Sequence, residues 1–244
     1  MSGHSKWNNI KNKKEKTDAQ KAKIFTKIGK EIAICVRDGG GDPNTNGKLR
    51  DLIAKAKANN VPNDNIERAI KKATGADAVQ YEEITYEGYG PSGVAVIVEA
   101  ATDSRNRTAS DVRHYFDKYG GNLGSNGCVS YMFEDKGVII LLREDNEGVD
   151  EDQLMEDALE AGAEDFSSDE ETFEITTEPS DVYAIKEALE SKGYKVESAE
   201  EDKIPNTYVT LESEDDIKNM NLLIEHLEES DDVQEIYHNW ENCD

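Results

Sequence analysis

VIILL at 138–142, EDQLMEDALEA at 151–161, DFSSDEETFEITT at 165–177, SDVYAIKEALESK at 180–192 and YKVESA at 194–199 follow one another closely. Their apolar patterns read as strand, helix, strand or hairpin, helix and strand, which is the split βαβ order. Outward toward the carboxyl end, a strand at 208–211 is followed by a helix with Ile217, Met220, Leu223, Ile224 and Leu227, then a strand at 233–237. Outward in the other direction, 83–87 and 94–101 read as a hairpin. A helix at 106–119 presenting Val112, Tyr115 and Phe116 follows, and a strand begins at 128–133. The two flanks are expected to share one sheet, so that 135–204 is inserted between 79–134 and 205–244.

Further upstream the period changes to that of helices. Phe25, Ile28, Ile32 and Cys35 recur three and four residues apart over 17–37; Leu49, Leu52, Ile53 and Ala56 mark a second helix, and Ile66, Ala69, Ile70 and Ala73 a third. The run Asp38-Gly39-Gly40-Gly41-Asp42-Pro43-Asn44 breaks the first from the second, and Asn59-Asn60-Val61-Pro62-Asn63-Asp64 supplies a proline and capping side chains before the third. The expected architecture is an α+β multidomain fold. A three-helix bundle (17–78) precedes two α/β-sandwich domains of ferredoxin-like type, the last inserted into the other. Residues 1–16 have no apolar stripe and are expected to be a flexible basic arm.

The formal net charge of −25 hides a division. Residues 1–80 hold 17 Lys and Arg against nine Asp and Glu, a net of +8, and the remainder carries −33. Surplus acid explains solubility but not the basic portion, which suits phosphate. Lys6, Lys11, Lys13, Lys14 and Lys16 crowd around Trp7, an aromatic able to stack on a base, and Lys21, Lys23, Lys27 and Lys30 continue along the first helix. Arg105, Arg107 and Arg113 lie on or just before a helix whose N-terminus, with Thr108, suits phosphate capture. As ordinary surface charges these residues would need no function. Bidentate base reading favours Arg, Asn and Gln, and the arm offers little beyond Asn8, Asn9, Asn12 and Gln20, so strong sequence discrimination is not expected.

Other chemistries find little support. The longest apolar run, Val94 to Val98 with Ala100 and Ala101, is far short of the ~20 residues that span a bilayer, and Met1 to Trp7 lacks a secretory pattern, so a cytoplasmic location is expected. Cys35, Cys128 and Cys243 have no metal or disulfide spacing. The four histidines are scattered, and no nucleophile elbow, zinc-protease or phosphate-loop motif occurs. Gly88-Tyr89-Gly90-Pro91-Ser92-Gly93 fits a dinucleotide fingerprint, yet a strand follows where a helix is needed, which leaves a turn. Asp145, Glu147, Asp150, Glu151 and Asp152 depart from calcium-loop spacing. No enzyme, cofactor, metal or small-molecule substrate is expected.

The opening Ser2-Gly3-His4-Ser5-Lys6-Trp7 and the stretches Gly40-Gly41-Asp42-Pro43, Asn59-Asn60-Val61-Pro62-Asn63-Asp64-Asn65-Ile66 and Ala69-Ile70-Lys71-Lys72 resemble the YebC/PmpR family. So do Tyr86-Glu87-Gly88-Tyr89-Gly90-Pro91, Asn106-Arg107-Thr108 and Gly120-Gly121-Asn122-Leu123-Gly124, in the same order over nearly the whole length. Cys128, where many members are expected to have a small hydroxyl residue, and the overall acidity depart from the pattern. The resemblance implies three domains and a DNA-binding transcriptional regulator. It equally implies, through relatives that include a mitochondrial translational activator, a ribosome-associated factor that binds rRNA and relieves stalls such as those at proline runs. A third reading is an acidic protein-interaction module that docks basic partners.

Overall fold

The structure, a computed structural model, describes residues 18–58 and 60–242. Among the described residues there are seven α-helices and two four-stranded antiparallel sheets, gathered into two compact units, 131–208 and 18–130 with 209–242. The expected arm, 1–16, lies outside the described residues, as does Cys243.

The larger unit begins with three helices, α1 (Asp18–Gly39), α2 (Gly47–Ala58) and α3 (Asn63–Ala73). Ile28, Ile32 and Val36 of α1 meet Leu49 and Ala56 of α2, Val61, and Ile66 of α3 in one buried cluster. The Asn46 side chain fixes the first turn between helices: its Nδ2 donates to the carbonyls of Cys35 and Gly40 at 3.0 and 2.8 Å, and its Oδ1 accepts from Leu49 N at 3.1 Å. The capping expectation for α3 fails, because Pro62 occupies the N-cap and no side chain closes it.

The same unit continues with β1 (Glu82–Tyr89), β2 (Ala95–Thr102), α4 (Arg105–Lys118) and β3 (Asn122–Leu123), and after the smaller unit with α7 (Glu214–Glu229) and β8 (Val233–His238). Strand order is β3-β1-β2-β8. The hairpin β1-β2 is therefore central, unlike the split βαβ order. β2 is buried along nearly its whole length, which accounts for its unbroken apolar run. Residues 90–94 form the turn between β1 and β2, with Ser92 at φ 52° and Gly93 at φ 81°.

The smaller unit runs β4 (Phe133–Leu142), α5 (Glu151–Ala161), β5 (Asp165–Ser168), β6 (Thr172–Thr177), α6 (Val182–Ser191) and β7 (Ser198–Pro205), in sheet order β5-β6-β4-β7. Ile139, Leu141, Phe173 and Ile175 pack beneath Leu154 and Ala158 of α5 and Val182, Ile185 and Leu189 of α6. Asp150 caps α5 by accepting from Asp152 N and Gln153 N, and Gly162 ends it at φ 108°. Gly137 sits where β4 crosses the start of α6: a Cβ there would collide with Thr177 Oγ1 and lie 2.7 Å from Val182 Cβ. Gly137→Ala is expected to cost about 1–3 kcal/mol through overpacking; an unchanged urea midpoint for this unit would contradict the packing described.

Three strand expectations are corrected. No strand begins at 128, because Val129 and Ser130 give their N–H groups to the Glu87 carboxylate; one continuous strand runs from Phe133, across an expected boundary at 134/135. The last strand of this unit starts at Ser198 and not at 194, since Asn146 holds Lys195 by both N–H and carbonyl at 2.9 and 3.0 Å. The strand expected at 208–211 is reduced to a single parallel bridge, Val209 to Trp240.

Candidate nucleic-acid interface

Lys6, Trp7, Lys11, Lys13, Lys14 and Lys16 lie outside the described residues, and Lys21 is placed on α1 with its side chain undescribed. The rest of the expected basic surface is where the structure departs most from expectation. Lys23, Lys27 and Lys30, four and three residues apart, form one stripe of α1, and that stripe faces the protein. Lys23 Nζ donates to Glu229 O at 3.1 Å and Lys27 Nζ to Glu228 O at 3.4 Å, at the last turn of α7. Lys30 Nζ donates to Asp231 O at 2.9 Å, Ala101 O at 3.2 Å and Asp232 Oδ1 at 2.5 Å. Three acceptors match the three donors of an ammonium group, and Lys30 is buried. The physical reason for the stripe is the end it caps. α7 terminates in Glu228 and Glu229, with carbonyls and carboxylates crowded at a negative helix pole, and cations from α1 offset that charge.

Asp232 is the hub of this junction. Its Oδ2 accepts from Arg107 Nη2 at 2.7 Å and stands 2.9 Å from Thr108 Oγ1 and 3.3 Å from Thr102 Oγ1. Burial opposes the charge, but hydrogen bonds from Lys30, Arg107 and Thr108 outweigh it and hold the carboxyl down at about 2. Arg107 also pairs with Asp103 at 2.9 Å, and Thr108 is buried. The expected phosphate site at the start of α4 is thus corrected: two of its groups serve Asp232, and Asp103 lies beside Arg107. Arg105 stands 3.6 Å from Glu82 and stays exposed, as does Arg113.

Further contacts join α1 to Tyr81, just before β1, and α2 to α1 and to β8. Arg37 Nη1 donates to Tyr81 O at 2.6 Å, and Lys55 lies 3.4 Å from Glu31 and 4.0 Å from Glu235. Besides Arg105 and Arg113, exposed cations that the sequence does not single out lie on the three-helix part: Lys48, Arg50 and Lys57 on α2 and Arg68, Lys71 and Lys72 on α3. Their signal is basic residues at helical spacing opposite the apolar stripe, but the lysines of the arm and α1 are denser and dominate a reading by composition.

Among the described residues, no thiol or histidine is tuned toward reactivity. Burial pushes the thiols of Cys35 and Cys128 above their usual range, the reverse of an activated thiolate. Burial also drives His238 down to about 4, which keeps it neutral in β8. Among the described residues no cluster of His, Cys, Asp and Glu is placed to hold a metal, and no helix is long and apolar enough to cross a membrane.

A family model described as the TACO1/YebC protein N-terminal domain matches residues 5–76, and one described as the TACO1/YebC second and third domain matches residues 81–240. A protein of Acetivibrio thermocellus described as a probable transcriptional regulatory protein is 60% identical over 241 residues, covering 98% of this chain and 99% of its own. A protein of Ruminiclostridium cellulolyticum with the same description is 60% identical over 242 residues, covering 99% and 97%. The crystal structure of a conserved hypothetical protein from Aquifex aeolicus superposes with a TM-score of 0.81 at 47% identity, covering 93% of this chain and 92% of that one.

Proposed function

We propose, from the premise that this chain belongs to the TACO1/YebC family, that it is a DNA-binding transcriptional regulator acting in the cytoplasm, without catalytic activity. Its relatives are described as probable transcriptional regulatory proteins, which supports a regulatory role. The observation that carries the binding reading is the division of charge, +8 in residues 1–80 against −33 in the rest. A lysine-rich segment whose sequence carries no apolar stripe suits a polyanion, and neutralised phosphates release counterions. Lys6, Trp7, Lys11, Lys13, Lys14, Lys16 and Lys21 are the contacts assigned to it, with Arg105 and Arg113 as exposed secondary candidates. Lys23, Lys27, Lys30 and Arg107 are withdrawn from that role, since their charges are used within the fold. We also read residues 131–208 as a ferredoxin-like domain inserted into the sheet-bearing domain before it, following its strand order β5-β6-β4-β7.

One feature favours a second reading, a ribosome-associated factor on rRNA. The assigned contacts are dominated by lysine, which grips phosphate but reads bases poorly, so a target recognised by shape suits them. Crosslinking in growing cells followed by sequencing of the attached DNA and RNA separates the two. Promoter enrichment upholds regulation of transcription, and enrichment of ribosomal RNA replaces it with the second reading. Replacing Lys6, Lys11, Lys13, Lys14 and Lys16 by glutamine is expected to flatten the dependence of log affinity on log salt by ~0.7–0.9 for each phosphate no longer neutralised. A slope equal to that of the unaltered protein removes the arm from the interface.

A further inference from the structure

The charges of the three-helix part are sorted by direction. Lys23, Lys27, Lys30, Arg37 and Lys55 all bind oxygen atoms inside the larger unit. Arg68, Lys71 and Lys72 do the opposite. They lie on the face of α3 turned away from Ile66, Ala69, Ile70 and Ala73, and all three are exposed. Among the described residues the ammonium groups of Lys71 and Lys72 meet no carboxylate, although Glu67 stands four residues before Lys71. Among the described residues, Arg68 makes a single 3.5 Å contact, with Asn65 Oδ1. Arg68 and Lys72 are four residues apart, ~6 Å along the helix axis, with Lys71 between them. Long side chains at that spacing can reach neighbouring phosphates of one strand.

We propose that this outer face of α3 is a second docking surface for the phosphate backbone of double-stranded DNA, built into the folded part of the protein. The proposal rests on the nucleic-acid reading above and extends it from the arm to a rigid helix. Charge complementarity argues for this occupant, because three cations that pair with no carboxylate among the described residues project from one side of a short helix on a chain of net charge −25. Stabilising the negative pole of α3 accounts for cations in its last turn, Lys71 and Lys72. It does not account for Arg68 a turn earlier, and such a role would appear as a change in melting temperature and not in salt dependence. A duplex gripped at both the arm and α3 would be held in one orientation, which a single point of contact does not provide.

The test uses the full-length protein and fluorescence anisotropy with a labelled mixed-sequence DNA duplex across a salt series. Arg68→Gln/Lys71→Gln/Lys72→Gln is expected to weaken binding by at least about tenfold at low salt and to reduce the salt slope by ~0.9 for each phosphate left without its cation. Lys71→Arg/Lys72→Arg, which keeps the charge, is expected to retain the slope. A triple variant with the original slope, alongside an arm variant that loses it, overturns the α3 surface and leaves the nucleic-acid reading in place. A slope unchanged on the duplex but reduced on a structured RNA hairpin overturns DNA as the occupant. Failure of the unaltered protein to bind the duplex at low salt overturns both this surface and the DNA-binding reading.

Discussion

Asp232→Asn lowers the unfolding free energy of the full chain by about 3–5 kcal/mol, the range for a buried ion pair that loses one partner. Every side chain around the carboxylate presents a donor: Lys30 to Oδ1, and Arg107, Thr108 and Thr102 to Oδ2. An amide supplies one acceptor and one donor, so whichever way it turns, a donor meets a donor. The Lys30 ammonium also keeps its charge in a place where the side chain is only 10% exposed, with the compensating anion gone. Truncating both partners together, as Asp232→Leu with Lys30→Met, removes the stranded charge. Its cost is therefore expected to fall well below the sum of the two single changes. Urea unfolding of the four proteins measures this coupling, and additive losses would mean that the pair is not the energetic unit described.

The same junction makes stability depend on pH in a definite direction. The folded carboxyl of Asp232, at about 2, lies below the ordinary aspartate value of 3.8. A depressed folded value contributes stability that is complete above the unfolded value and is lost as pH falls through the window between them. Acid titration of the unaltered protein should show this loss between those limits, and Asp232→Asn should lack that component.

Glu87→Ala is expected to cost about 2–3 kcal/mol and to release the loop that follows β3. Glu87 is buried on β1, and its carboxylate accepts from Gly127 N at 2.7 Å, Val129 N at 2.9 Å and Ser130 N at 2.8 Å. Burial raises the carboxyl, but these three backbone hydrogen bonds outweigh it and leave it below its usual range. Backbone N–H groups deprived of an acceptor cost about 1–3 kcal/mol each when buried, and less where water reaches them, as at Gly127 and Ser130. Glu87→Gln should be milder, because its amide oxygen still serves one side of the trio. Amide exchange at 127, 129 and 130 reads the effect directly. Protection unchanged in Glu87→Ala would show that the loop is held by something else, such as the 3.1 Å hydrogen bond from Tyr89 OH to Cys128 O.

Some groups that look alike in sequence differ in space. The stripe Lys23, Lys27, Lys30 and the trio Arg68, Lys71, Lys72 are each cations at helical spacing opposite an apolar face. Periodicity fixes the angle of a side chain around its helix but is silent on what stands beyond it. One stripe meets the carbonyl end of α7, some 200 residues later in the chain, and the other meets none of the carboxylates among the described residues. The strand errors have a similar origin. Val129 and Ser130 have the composition of a strand, yet their N–H groups are taken by Glu87, and Asn146 occupies the backbone of Lys195. A side chain that outcompetes a neighbouring strand for backbone groups leaves no local mark.

What the amino-acid order alone determined was the character of each segment: three basic amphipathic helices at 18–73, two later sets of strands and helices, and the contrast between +8 and −33. Those features depend on spacing and composition within a few turns of chain. Tertiary structure decided which charges remain outside. A cation's availability depends on whether a distant carbonyl or carboxylate reaches it first, and that requires the fold to bring residues 228–232 against α1.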